Sequence, residues 1–239
     1  MIREAGDRGT RTIVCTPHLY DLDARLVERA RQVHREVAAA VKEQAIPVRL
    51  LLGFEVDLTI AATCDLETIR TLCIGGGGAA AGEGSGRAVV IEMPYSGWPL
   101  FLEQTLFRLT AAGLLPILAH PERNERVQRS PDALAACLNA GAIAQGTAGS
   151  LSSMFRKQSL KAFRELLARG WLSLLATDAH SQPEYTWSLE PLLAELGKRL
   201  SPADRELMTE VNPARVLEGK NPVPLAPKRP ADGRRGRFI

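Results

Sequence analysis

Short apolar segments of the kind that form β-strands alternate with helix-like segments along most of the chain, and this alternation restricts the fold to few architectures. The strand-like segments are residues 11–16, 47–56, 88–93, 114–120, 142–145 and 172–177. Between them lie segments with apolar residues at helical spacing, of which residues 24–44 are the longest. Strands that are separated by helices usually pair in parallel, so we predict an α/β fold, either a barrel or a doubly wound sheet.

The ends of these strand-like segments favour the barrel. The most apolar segment runs into LLATDAHS, residues 174–181, where Asp178 and His180 would share one face of an extended chain. An acid or an imidazole also ends, or directly follows, four earlier segments, at His18, Glu55, Glu92 and His120. Because the active sites of α/β barrels lie at the carboxyl ends of their strands, this recurrence predicts one shared site.

The residue types at these strand ends indicate a metal centre. Three carboxylates, Glu55, Glu92 and Asp178, would repel one another at close range unless cations neutralised them. Mixed carboxylate and imidazole ligands suit Mn, Fe or Zn better than Ca or Mg, and carboxylate-bridged metal pairs commonly hydrolyse phosphate esters. The candidate ligands are His18, Glu55, Glu92, His120, Asp178 and His180. Each of them alone would equally fit a solvated or structural position, and His34, in the middle of a predicted helix, is interpreted in that way.

Arg123 is the candidate for contact with phosphate. It lies three residues after His120 in AHPERN, and a guanidinium there could hold a phosphate with two hydrogen bonds and offset charge in the transition state. A surface arginine is the alternative. Glu122 and Arg126 are predicted to be solvated loop residues. The small, hydroxylated segment at residues 145–155 is predicted to pack a tight turn rather than to approach a ligand.

Charge and composition argue against a nucleic-acid-binding protein and predict two irregular segments. Six of the 30 basic residues and one of the 27 acidic residues lie from Lys220 onward, so this tail carries +5 and the rest carries −2. The body therefore lacks the basic footprint of a nucleic-acid-binding protein. The tail, residues 220–239, is rich in Pro and Arg and is predicted to be disordered. The glycine-rich segment at residues 75–86 is predicted to be a surface loop, since no P-loop lysine follows it.

The chain is predicted to be a cytoplasmic protein. No apolar run approaches the roughly 18 residues of a membrane-spanning helix, and no N-terminal segment resembles a signal peptide. The four cysteines are scattered without CxxC spacing, which is typical of a reducing compartment.

Six motifs, taken in order, resemble those of the polymerase and histidinol phosphatase (PHP) superfamily: TIVCTPH, GFEVDL, VIEMP, AHPER, QGTAGSL and LLATDAHS. Within it the chain is most similar to the metal-dependent tyrosine phosphatases of bacterial capsule and exopolysaccharide operons, the CpsB/YwqE type, over about residues 3–220. The resemblance implies a distorted (β/α)7 PHP-type barrel with two or three Mn, Fe or Zn ions. It implies hydrolysis of phosphotyrosine on a partner tyrosine kinase. The six candidate ligands match the family's metal ligands, and Arg123 matches an arginine that contacts phosphate.

Two departures from the family pattern leave alternatives open. Family members begin with a strand that carries His-x-His, and no such motif occurs here, so residues 1–219 are expected to form a barrel that lacks its first βα unit. The family also often carries an arginine shortly after Asp-x-His, whereas residues 181–188 contain none. The alternatives are a PHP hydrolase of a small phosphate ester such as histidinol phosphate, and a weakened barrel that binds a partner without turnover. The oligomeric state is left open.

Overall fold

The computed structural model describes residues 1–76, 84–151, 156–180 and 188–228. These residues contain eight β-strands, all of them short. The strands are β1 (Thr12–Cys15), β2 (His18–Leu19), β3 (Arg49–Leu52), β4 (Glu55–Asp57), β5 (Ala88–Glu92), β6 (Leu115–Ala119), β7 (Ile143–Thr147) and β8 (Leu172–Ala176).

Helices separate most of the strands. The α-helices are α1 (Ile2–Asp7), α2 (Ala24–Glu43), α3 (Leu58–Thr63), α4 (Leu66–Leu72), α5 (Leu102–Ala111), α6 (Glu125–Arg129), α7 (Leu134–Asn139), α8 (Arg156–Ala168), α9 (Glu190–Leu196), α10 (Pro202–Glu206) and α11 (Asn212–Leu217). Short 3₁₀ helices span Pro121–Arg123, Pro131–Ala133, Ala148–Leu151 and Gly197–Arg199, and a π-helical turn spans Leu207–Val211. The aspartates before α2, α3 and α4 accept backbone N–H groups of the first turn and so cap these helices. Ser130, which precedes the 3₁₀ helix Pro131–Ala133, makes no capping hydrogen bond with its side chain.

All strand pairs are parallel, and the strands of the larger sheet follow chain order. That sheet has the order β2-β4-β5-β6-β7-β8, and β1 pairs with β3 in a two-stranded sheet. The prediction of an α/β fold with parallel strands is therefore confirmed. Within the described residues no ladder joins the edge strands β2 and β8, so closure into a (β/α)7 barrel stays a prediction.

The predicted strand at residues 47–56 is divided into β3 and β4, and a second short strand, β2, follows the predicted strand at residues 11–16. β1 leads into β2 through Pro17, which has no N–H group to donate to a ladder. β3 leads into β4 through Gly53, where an added Cβ would lie 2.9 Å from Ile74 Cγ1. Pairing continues across both gaps, because Gly53 N donates to Cys15 O at 3.0 Å and Glu55 N donates to Pro17 O at 3.1 Å. Each pair of short strands thus acts as one bent strand that carries the chain to the carboxyl end of the sheet.

The core lies around the central strands. Every residue of β5 and β6 is buried, as expected for parallel strands that are covered on both faces. Fully buried side chains of α5 and α8, such as Leu106 and Phe163, belong to the same apolar cluster. Because β5 and β6 are packed on both faces, they fix the positions of the residues at their carboxyl ends.

The chain after Gly219 differs from the predicted disordered tail. Val223 N donates to Asn212 Oδ1 at 2.7 Å, Lys228 N donates to Ala168 O at 2.8 Å, and Leu225 is buried. The prediction is therefore wrong for residues 220–228, whereas residues 229–239 lie outside the described residues. Parts of three other predicted segments also lie outside them, namely residues 77–83, 152–155 and 181–187.

Candidate metal centre

The predicted site residues lie toward the carboxyl end of the large sheet. The register of β2 and β4 places His18 beside Glu55. Glu92 is the last residue of β5 and pairs with Ala119, the residue before His120. Asp178 and His180 follow β8. Parallel pairing thus brings residues that are far apart in sequence to one end of the sheet.

Two imidazole–carboxylate contacts form the centre of this cluster. His120 Nε2 lies 3.0 Å from Glu55 Oε1, and His18 Nδ1 lies 3.3 Å from Glu92 Oε2. One ligand atom from each of His18, Glu55 and Glu92 lies within 4.8 Å of the other two. Three of the six predicted ligands therefore already face one small volume, and His120 contacts it through Glu55.

Asp178 and His180 connect to the same cluster from β8. His180 Nε2 lies 3.5 Å from His18 Nε2, and the two ring centroids are 5.7 Å apart. Asp178 Oδ2 lies 2.8 Å from Arg123 Nη2. Since His180 Nδ1 also lies 3.8 Å from Asp178 Oδ1, direct contacts link Glu92, His18, His180, Asp178 and Arg123 in one series. The Glu55 carboxylate of the other pair lies within 4.8 Å of this series, at His18 and Glu92.

Two of these residues have an unusual backbone conformation. His120 has a φ of 35° and Asp178 has a φ of 53°, both in the left-handed region. Each such non-glycine residue costs on the order of 1–3 kcal/mol, which the surrounding structure must offset. His120 N donates to Gln145 O at 3.0 Å, which helps to hold this turn after β6. The strain lies at the two positions where the chain leaves a strand and turns a side chain into the cluster.

Charge in the cluster is only partly balanced by the protein. The hydrogen bond with Glu92 raises the pKa of His18 despite partial burial, and the nearby carboxylates add to this effect. Burial acts to raise the pKa of Glu92, but the hydrogen bonds from His18 and Tyr20 and the charges of His18 and His120 lower it overall. Both directions favour a carboxylate beside a cation, the arrangement that a metal ion would also stabilise.

The donor set fits a metal ion of the Mn, Fe or Zn type. Among the described residues, His120 Nδ1 is buried without a hydrogen-bond partner, and Glu92 Oε2 and Asp178 Oδ2 are buried with only ion-pair contacts, to His18 and to Arg123. Buried polar atoms normally have such partners, so these atoms have capacity to bind another group. Carboxylate oxygens and imidazole nitrogens together are ligands that these transition metals accept.

The structure corrects the prediction for Glu122, which was expected to be a solvated loop residue. Its side chain is 0% exposed, and this burial raises its pKa. Its Oε1 atom accepts Ser150 Oγ–H at 2.5 Å and Thr147 N–H at 3.0 Å. Sequence reasoning missed Glu122 because its burial depends on the 3₁₀ helix Pro121–Arg123 turning back beneath the segment after β7. Arg126 is exposed, as predicted.

The role predicted for residues 145–155 is also only part of what the structure shows. Gly146 packs tightly, since an added Cβ would lie 2.4 Å from the Phe163 ring. In the same segment, however, Ser150 Oγ accepts a hydrogen bond from Arg123 Nε at 3.2 Å. The segment therefore packs a turn and also contacts the candidate phosphate-binding residue. The hydroxyl groups in QGTAGSL were the signal for this contact.

Two tyrosines at the edge of the cluster were not predicted. Tyr20 stacks on His18 with ring centroids 5.2 Å apart, and its hydroxyl donates to Glu92 Oε1 at 3.3 Å. Partial burial and the charge of Glu92 raise the pKa of Tyr20 to about 12. Tyr95 stacks on His120 with ring centroids 5.8 Å apart. The two tyrosines are 59% and 43% exposed, so aromatic surface lies beside the candidate metal ligands.

Fold and site together define a parallel α/β protein with a candidate metal centre at the carboxyl end of its sheet. The chain belongs to the CpsB/CapC family of capsular polysaccharide synthesis, whose sequence profile matches residues 1–218. It is 31% identical over 216 residues to the tyrosine-protein phosphatase YwqE of Bacillus subtilis (strain 168), covering 88% of this chain and 80% of that protein. It is 29% identical over 197 residues to CapC of Staphylococcus aureus, also named for this phosphatase class, covering 80% and 72%.

A solved structure supports the same relationship. It comes from work on YwqE from Bacillus subtilis and CpsB from Streptococcus pneumoniae, described as metal-dependent tyrosine phosphatases. It matches this chain with a TM-score of 0.71 and 25% identity, over 95% of this chain and 89% of that one. Among the described residues, no helix is long and apolar enough to cross a membrane.

Proposed function

We propose that this protein is a metal-dependent protein-tyrosine phosphatase that acts on a partner tyrosine kinase in capsule or exopolysaccharide synthesis. The observation that carries the proposal is the cluster of His18, Glu55 and Glu92, whose ligand atoms lie within 4.8 Å of one another. It occurs in a chain whose named relatives are tyrosine phosphatases. The reaction adds water across the P–O bond of the ester and releases tyrosine and inorganic phosphate.

The proposed metal ligands are the six residues predicted from the sequence, with Mn as the preferred ion, Fe or Zn as alternatives, and two or three ions in a complete site. Bound ions would supply Lewis acidity and lower the pKa of a coordinated water. Supporting this assignment, three carboxylates lie within one cluster of imidazoles, and Glu55 and Glu92 are buried. Burying Glu55 and Glu92 with oxygens within 4.8 Å of each other is costly without a bound cation, because the protein supplies too few positive charges to balance them.

Arg123 is the proposed phosphate-binding residue. Its guanidinium is buried beside the cluster and is held at Nη2 by Asp178 and at Nε by Ser150. Burial acts to lower the pKa of Arg123, but the charges of Asp178 and Glu122 outweigh it, so the group remains a cation. A guanidinium in this position would hold the equatorial oxygens of a phosphoryl group and stabilise charge in the transition state.

The exposed rings of Tyr20 and Tyr95 favour an aryl phosphate over a small alkyl ester such as histidinol phosphate. Aromatic rings pack well against one another in offset or edge-to-face geometry, and these two rings lie beside the imidazoles of the cluster. We expect Tyr95→Ala to raise the KM for a phosphotyrosine peptide several-fold and to leave the KM for a phosphoserine peptide unchanged. Equal effects on both peptides would contradict this preference.

Chelation and thiol alkylation together test the proposed chemistry. Burial raises the pKa of Cys73 and of Cys137 to about 12, and burial also raises the pKa of Cys15, so these thiols are poor nucleophiles at neutral pH. Hydrolysis of a phosphotyrosine peptide should stop on chelation, return with added Mn, and continue after treatment with iodoacetamide. Activity that survives chelation but is lost on alkylation would contradict the metal mechanism. If the protein binds metal but hydrolyses neither a phosphotyrosine peptide nor histidinol phosphate, the alternative of a barrel that binds a partner without turnover is favoured.

We further propose that the parallel sheet is part of a distorted (β/α)7 PHP-type barrel and that the protein acts in the cytoplasm. Strand neighbours in chain order support the barrel. So does the 3.5 Å distance between His18 on β2 and His180 after β8, because it brings the two edges of the sheet together at their carboxyl ends. The expectation that one βα unit with His-x-His is absent stays a prediction from the motifs.

A further inference from the structure

Glu122 is a fully buried carboxylate that no step of the proposed reaction uses. It lies between the candidate ligand His120 and the candidate phosphate-binding residue Arg123, on the 3₁₀ helix that follows β6. Its Oε1 atom contacts the backbone N–H of Thr147 and the hydroxyl of Ser150. Burying an acid is unfavourable, and the two donors to Oε1 offset only part of this cost, because Oε2 is buried without a hydrogen-bond partner.

The direction of each hydrogen bond follows from the chemistry of the groups. A backbone N–H can only donate, so Oε1 of Glu122 acts as an acceptor toward Thr147. The Ser150 hydroxyl has one proton, and at 2.5 Å it donates that proton to the same oxygen. The lone pairs of Ser150 Oγ then remain for Arg123 Nε–H, which lies 3.2 Å away and can only donate. Glu122 therefore sets Ser150 as an acceptor for Arg123.

The guanidinium of Arg123 makes a second contact, an ion pair at Nη2, on the same edge as Nε. Asp178 Oδ2 lies 2.8 Å from Nη2. Because a guanidinium is planar and rigid, contacts at Nε and at Nη2 together restrict both its position and the orientation of its plane. An arginine that is held in this way loses little further freedom when it binds a ligand.

We infer that Glu122 and Ser150 are positioning residues that orient Arg123 for a phosphoryl group. The inference rests on the proposed function, because a phosphoryl group as the ligand of Arg123 comes from there. Glu122 acts on Ser150, Ser150 acts on Arg123, and neither of them needs to touch the substrate. A purely structural role would instead tie the 3₁₀ helix Pro121–Arg123 to the one at Ala148–Leu151 and would leave the guanidinium unaffected.

Ser150→Ala is the most specific variant, because it removes the acceptor for Arg123 Nε together with the donor to Glu122 Oε1 and changes the side-chain volume little. Ser159→Ala is the matched control. Ser159 on α8 is also fully buried, and its Oγ accepts a hydrogen bond from Gln128 Nε2 at 3.1 Å. Gln128 Nε2 also donates to the backbone carbonyls of Glu122 and Arg123, so this control loosens the 3₁₀ helix without removing a contact of the guanidinium. Arg123→Lys, alone and combined with Ser150→Ala, completes the set.

The first readout needs neither metal nor activity. In ¹⁵N–¹H spectra of the metal-free protein, the Nε–H resonance of Arg123, assigned by its loss in Arg123→Lys, should exchange slowly with water. Ser150→Ala should speed this exchange at least about tenfold, since the hydrogen bond that protects it is gone. Ser159→Ala should leave it unchanged. An unchanged Arg123 resonance in Ser150→Ala would overturn the inference.

The second readout is the affinity of the Mn-loaded protein for inorganic phosphate, measured by titration calorimetry. Ser150→Ala should weaken binding about tenfold, the change expected for losing one charge-assisted hydrogen bond that orients a ligand group. In the Arg123→Lys background the same substitution should have no further effect, because lysine lacks the Nε–H group. If Ser150→Ala weakens phosphate binding equally in the wild-type and in the Arg123→Lys background, its role is structural only.

Kinetics separate this inference from the proposed function. With a phosphotyrosine peptide, Ser150→Ala should lower kcat/KM about tenfold, and Ser150→Thr, which keeps the hydroxyl, should restore most of it. An inactive wild-type protein would contradict the proposed function, while the Arg123 resonance would still decide the positioning role. An active wild type with a fully active Ser150→Ala would overturn the positioning role alone.

Discussion

The candidate centre contains two imidazole–carboxylate pairs of the same chemistry in very different surroundings. His120 and Glu55 are 2% and 4% exposed and lie 3.0 Å apart. His18 is exposed and lies 3.3 Å from Glu92. We call the first pair the buried pair and the second the rim pair. The buried pair is attached to strands inside the sheet, whereas His18 is on the two-residue edge strand β2.

This difference separates the part of the site that the core holds in place from the part that a bound ligand would hold in place. His120 is held by packing on both faces of β6 and by a strained turn, so its position depends on the core. His18 is held by the buried Glu92, by the half-buried His180 and by the exposed ring of Tyr20. We therefore expect loss of the buried pair to affect folding and chemistry together, and loss of the rim pair to affect chemistry alone.

The largest expected effect is on the stability of the metal-free protein. His120→Ala should lower the free energy of unfolding by about 3 kcal/mol, because it leaves Glu55 buried without its partner. His18→Ala should lower it by less than about 1 kcal/mol, since the His18 side chain is exposed and Glu92 keeps the hydrogen bond from the Tyr20 hydroxyl. Urea unfolding monitored by circular dichroism gives both values. Equal losses in the two variants would contradict the distinction between the buried pair and the rim pair.

A packing change behind the buried pair should come next in size. Gly146→Ala would place a methyl group 2.4 Å from the Phe163 ring, in β7 beside β6. Such overpacking costs about 1–3 kcal/mol. Gly113→Ala is the matched control: it also adds one methyl group, has open space around it, and pays only for a φ of 80°, about 1 kcal/mol. Thermal unfolding of the two variants should rank Gly146→Ala as the less stable.

How much of this architecture the sequence predicts depends on how local its causes are. Helix α2 was predicted over residues 24–44 and spans Ala24–Glu43, because helical periodicity and a capping aspartate are both local signals. The six candidate ligands were chosen because strand ends mark one side of a parallel sheet; their role as ligands stays a prediction. Glu122 was misjudged, since nothing near it in sequence shows that the chain will fold over it. The division of the predicted strand at residues 47–56 was missed for a related reason: bending at Gly53 depends on its contact with Ile74.

The smallest expected effect concerns a half-buried ion pair, Asp204–Lys228, that serves as a reference for the rim pair. Burial acts to raise the pKa of Asp204, but Ser201 and Lys228, whose Nζ lies 3.0 Å away, lower it overall. Because the folded pKa is depressed, this stabilisation is present above the unfolded pKa and is lost as the pH falls through the folded pKa. Asp204→Asn should cost less than about 0.5 kcal/mol at pH 7, after allowing for solvent screening, and less again at acidic pH. A cost of equal size at both pH values would indicate lost capping of α10 instead.

Anomalous diffraction from crystals soaked in Mn tests the central claim most directly. If the strand-end cluster is the metal centre, anomalous-difference density should show at least one ion in direct contact with Glu55, Glu92 and the His18 imidazole, and His18→Ala should reduce its occupancy. Density at the cluster that is equally strong in His18→Ala would show that the rim pair takes no part. Mn density only at other surface carboxylates, with none at the cluster, would contradict the account.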